Sequence, residues 1–302
     1  MNAKARRVPP SAGAVAGAVE SGALAKIQAA RKFNAEYLAE PGFRRSDGRL
    51  NSTSAADGCW SAVGGCVDLA TLAARRGGGR EGFQYWLGEA LGWIDEYRRI
   101  CREFGVQRGG TGPLVHDESP ESGAWLVAEL EVGQLFDRRQ SAWIRRWSTE
   151  EAARTISDAP DHHGSEFMML GQLLHALRAV LLGDADLSRA VVEAGLRAWG
   201  GHKSERGVVR YISAVATTVS AALESDEERF ADALRAQVKL YELAARPGPI
   251  AFAWVIPGAG GPHVRELSLD LPGLVILRAV PGKARAWKDE SPLLPRELWE
   301  GQ

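Results

Sequence analysis

The stretch HALRAVLLGDADLSRAVVEAGL, residues 175–196, reads as helix, short acidic turn, helix. Apolar residues recur three and four apart on both sides of Gly183 and Asp184, the spacing of an amphipathic helix. The pattern is echoed by VATTVSAALESDEERFADALRAQV at residues 215–238, where Leu223 matches Leu182 and Ala231 matches Ala190, both about 41 residues apart. Small alanines let one helix approach the next, and each pair needs a neighbour to cover its apolar face. The echo therefore predicts a mainly α fold of antiparallel helical hairpins, packed as tetratricopeptide-like pairs in the second half. Two S-x-x-E boxes, Ser148 with Glu151 and Ser225 with Glu228, place helix starts near Thr149 and Asp226, because hydroxyl and carboxylate satisfy free backbone N–H groups reciprocally.

Working outward, the first half is also helical in period. Ile27, Ala30, Phe33 and Tyr37 make one stripe, stopped by the EPG at residues 40–42. Trp60, Val63, Val67, Ala70 and Ala74 make a second, closed by the glycines at 77–79. Phe83, Trp86, Leu87, Ala90, Ile94, Tyr97, Cys101 and Phe104 make the longest. Residues 1–22, rich in Ala and Gly with Glu20 in their midst, are expected to be a disordered tail. Residues 23–302 then form one helical domain, or two packed halves divided by the turn-rich break at 107–123. The closing runs PIAFAWVIPGAGGP and LSLDLPGLVILRAVPGK are fenced by Pro and Gly, and period alone leaves helix and strand equally open.

Lys plus Arg number 37 against 38 for Asp plus Glu in 302 residues, so no global field draws in nucleic acid or an anionic membrane. No uninterrupted apolar run reaches spanning length. Cys59, Cys66 and Cys101 are odd in number and form no C-x-x-C, which argues against a disulfide framework and a zinc knuckle and fits a reducing cytoplasm.

The residues that raise a question of chemistry are Asp161, His162, His163 and Glu166, with His175 beyond. Each helical residue turns about 100°, which sets Glu166 and His175 on roughly opposite sides, so the two cannot share a metal. Without HExxH or E-x-x-H, the cluster reads as the polar entry of a helix. No metal or cofactor is expected, and a metal-dependent enzyme using residues 161–166 is an alternative. GGGREG at 77–82 has the G-x-G-x-x-G form but follows a helical segment, DLATLAARR, where a dinucleotide site needs a strand. The arginines of FDRRQSAWIRRW, residues 136–147, fit the solvated side of an amphipathic helix whose Phe136, Trp143 and Trp147 turn inward. One acidic group lacks a helical role: Asp117, Glu118 and Glu121, in the break, are the expected partner-binding residues, suited to a basic surface.

The second two-thirds of the chain resembles immunity protein 49 of bacterial polymorphic toxin systems. The resemblance lies in GTGPLVHDESPES, GQLLHALRAVLLGDADLSRAVV, SAALESDEERFADALRAQVKLYE and LDLPGLVILRA. It implies a cytoplasmic, mostly helical protein that binds and neutralises a cognate toxin without catalysing a reaction. A general helical scaffold for protein interactions is the other non-catalytic class.

Overall fold

The computed structural model describes residues 12–40, 46, 54–77, 79–104, 164–199, 206–244 and 269–300. Ten helices and no strand occur among them: α1 (Ala12–Ala39), α2 (Ser54–Arg75), α3 (Gly79–Phe104), α4 (Gly164–Leu182), α5 (Ala185–Trp199), α6 (Arg206–Leu223), α7 (Glu227–Ala244), α8 (Leu271–Ala279), α9 (Pro281–Ala284) and α10 (Arg296–Trp299). The mainly α expectation is met. The break at 107–123, the box at Ser148 and the run at 249–262 lie outside the described residues.

The first three helices pack α1 on α2 and α2 on α3. Helix α1 starts at Ala12, inside the stretch expected to be a tail, and Ala16 and Ala23 are buried in the core. Composition misled here, since alanine is the strongest helix former and its small side chain suits a close helix contact. A Cβ on Gly65 of α2 would stand 2.9 Å from the Ala23 carbonyl oxygen, so the two backbones meet where only glycine fits. The buried seam is Ala23, Ile27, Ala30, Asn34 and Tyr37, alternating four and three apart. Phe33, placed on that stripe by its hydrophobicity, is instead exposed and stacks on the Tyr37 ring at 4.9 Å. Ion pairs Glu20–Arg76 at 2.7 Å and Lys26–Asp68 at 3.3 Å, with Asn34 against Cys59, run in opposite order along α1 and α2, so these helices are antiparallel.

In the second half, α4 contacts α5, α6 contacts α7, and α6 also packs on α4 and α5. The α4–α5 turn is closed by its own two residues. Gly183 adopts φ +68°, and Asp184 N–H donates to the Ala179 carbonyl at 3.0 Å, ending α4. Asp184 Oδ1 then accepts from Leu187 N–H at 2.8 Å, starting α5. At the α6–α7 turn the cap is Asp226, whose Oδ1 accepts from Arg229 N–H at 3.0 Å. The expected Ser225–Glu228 box is thus displaced by one residue, because the carboxylate beside the serine takes the backbone N–H. That turn has no left-handed glycine. Its carbonyls are met by Lys283 Nζ, which donates to Ala221 at 3.2 Å, Asp226 at 3.4 Å and, most closely, Glu224.

The 41-residue echo does not hold through the packing. Leu187 and Val191 of α5 are buried as Phe230 and Leu234 of α7 are, a spacing two residues longer. The turn between α6 and α7 is one residue longer, and the buried stripe starts one residue further into α7 than into α5.

The closing apolar run, left open between helix and strand, is α8. Asp270 caps it, Pro272 sits in its first turn where no N–H is missed, and residues Leu271 to Arg278 are all buried. A helix apolar on every side is a core helix, and α8 contacts α4, α6 and α7. Buried apolar side chains from both halves belong to one contiguous cluster.

Candidate functional site

Asp117, Glu118, Glu121, Asp161, His162 and His163 lie outside the described residues. Glu166 falls in the first turn of α4. His175, on the same helix, is 1% exposed, and burial with Arg178 nearby pushes its pKa down to about 3, so the imidazole is neutral at ordinary pH. No group of three His, Cys, Asp or Glu residues placed to hold a metal occurs among the described residues.

Two constellations do take shape. The first is a cleft of about 690 Å³ between α1 and α3, lined by Arg31, Asn34, Leu38, Glu89, Trp93 and Arg99 among others. Arg31 and Glu89 bridge it at 3.3 Å, and Arg99 is held by Glu96 at 2.7 Å and by Glu103. Gly92 lies on the α3 wall beside open space, since a Cβ there would meet nothing within 4 Å. An apolar floor between two ion pairs suits a side chain or small group with an apolar body and a polar end. Two buried thiols lie on α2, Cys59 and Cys66, neither of them in a disulfide, and Cys59 accepts from Asn34 Nδ2 at 3.1 Å. Burial, with Glu89 adding to it and Arg31 opposing, pushes Cys66 up to about 12, so it is no thiolate nucleophile.

The second constellation is the junction of α6, α7 and α8. Asp270 is fully enclosed. Its Oδ1 accepts from Tyr211 Oη at 2.8 Å and Gly273 N–H at 3.0 Å, and its Oδ2 from Gln237 Nε2 at 2.9 Å. Tyr211 meets Tyr241 edge to face at 5.3 Å. The Asp270 N–H donates to the Leu293 carbonyl at 3.0 Å, tying in the segment after α9. Sequence reasoning missed this set because Tyr211 and Gln237 stand 59 and 33 residues away from Asp270. The one local signal was Asp270 before Leu-Pro-Gly, the composition of a helix start.

No helix among the described residues is long and apolar enough to cross a membrane. No known family model, curated protein or solved structure matches the chain.

Proposed function

We propose that this chain is a non-catalytic protein that binds and neutralises a cognate toxin in the bacterial cytoplasm. The observation that carries the reading is the resemblance of the second two-thirds of the sequence to immunity protein 49. Three of its four quoted runs fall on α4 to α8, the first lying outside the described residues, and the tetratricopeptide-like pairing of α4 with α5 and α6 with α7 belongs to the same proposal. The polar side chains there have architectural work: the buried Asp270 caps α8 and joins three helices, and the half-buried Asp184 caps α5. Asp117, Glu118 and Glu121 are the proposed contacts, steering a basic toxin surface by charge.

The test is expression of the neighbouring gene product in a sensitive host with and without this chain. Restored growth and a stoichiometric complex support the reading; a toxic neighbour that this chain neither binds nor silences removes it. Neutralising the three loop carboxylates is expected to slow association mainly at low salt. Identical salt slopes for wild type and the triple variant remove the loop from the interface.

A further inference from the structure

Gln237 is fully buried, and while its Nε2 serves Asp270, its own carbonyl oxygen has no hydrogen-bond partner. The two ends of a side-chain amide exchange places by rotation about the last torsion. In one orientation Gln237 donates to a carboxylate; in the other its oxygen accepts from a carboxylic acid. We infer that Asp270 and Gln237 form a proton-following junction, in which the acid proton bridges Asp270 Oδ2 to the Gln237 oxygen and its loss turns the amide to donate instead.

The chemistry favours the protonated state. Every partner of Asp270 is uncharged, namely Tyr211 on α6, Gln237 on α7 and the Gly273 amide on α8. The other buried ionisable groups on the packed elements are Tyr241 on α7, His175 and Arg178 on α4 and Arg278 on α8. No cation among them is a cause of the Asp270 shift: burial raises its pKa, opposed by the three donors. Enclosing a charge without a counter-ion costs more than turning the two amide hydrogens of Gln237 away from Asp270. As pH rises the proton passes to solvent, an uncompensated carboxylate is left at the point where α6, α7 and α8 meet, and the C-terminal helices are held less firmly.

The sign follows from linkage. A carboxyl with a raised folded pKa binds its proton more tightly folded than unfolded, so stability falls as pH climbs from the ordinary carboxylate value through the raised one. The measurement is the carboxyl-carbon chemical shift of Asp270 in ¹³C-labelled protein, assigned through the backbone, together with Tm against pH for wild type and Asp270→Asn. The asparagine variant presents an NH₂ to the turned Gln237 oxygen and mimics the neutral acid. The expected result is a protonated Asp270 resonance persisting above the ordinary carboxylate range, and a wild-type Tm that falls relative to the variant as pH rises. An ionised resonance throughout that range, or parallel Tm profiles, overturns the junction. If the variant fails to fold, the wild-type resonance decides alone.

Discussion

The two turns that follow α4 and α6 do the same job by different means. Gly183 and Asp184 close one helix and open the next with no outside help. The turn at Glu224 to Asp226 opens α7 with Asp226 but leaves its carbonyls to Lys283, nearly 60 residues on in sequence. The first pair is therefore specified by adjacent letters. The second is complete only when the C-terminal segment has docked, which couples α6 and α7 to α8 and α9.

Acid should separate the two pairs most. Histidine is present in α4 and absent from α6 and α7. His175 has a folded pKa near 3 against an ordinary 6.5, so the unfolded chain takes up the proton first as pH falls. Its contribution is complete above about 6.5 and lost on the way to 3, on the order of 5 kcal/mol at the limit. Tm against pH should lose that acid slope in His175→Leu, and retention of the slope would place the acid sensitivity elsewhere. Asp68 runs the other way: burial raises it to about 6 against the pull of Lys26, so stability falls as pH rises from its ordinary 3.8 to that value. Asp68→Asn should remove that fall.

Lys283→Met keeps the aliphatic stem and removes the donors to the second turn. It is expected to cost roughly 1.5–3 kcal/mol in urea unfolding, with faster amide exchange around residues 221–226 and unchanged exchange at the first turn. Equal changes at both turns would mean that Lys283 acts only through general packing. Gly183→Val probes the self-contained turn. A Cβ there meets nothing within 4 Å, so only backbone strain operates and about 1–2 kcal/mol is expected. Asp184→Ala and Asp226→Ala should each cost about 1 kcal/mol, and a much smaller loss at Asp226 would show that Lys283 alone secures its turn.

What the sequence disclosed follows the same division. The helices of the first half were legible because three-four spacing is local, and Leu87, Ala90, Ile94 and Tyr97 are indeed buried. Asn34 was not legible as a core residue, since its place in the seam depends on α2 opposite. Serine against aspartate at the start of α7 was decided by which side chain reached the N–H, a one-residue matter that a pattern cannot resolve. The Asp270 junction was invisible because it joins three helices whose polar residues have no spacing in common.

The burial of Cys66 on α2 has a use in kinetics. It is 0% exposed, and its high pKa leaves almost no thiolate at neutral pH. An alkylating reagent can therefore reach it only when the packing around α2 opens, and at high reagent concentration the labelling rate becomes the opening rate itself. The chain carries a built-in clock for the opening of its first three helices, readable by the mass of the alkylated protein without any engineered residue.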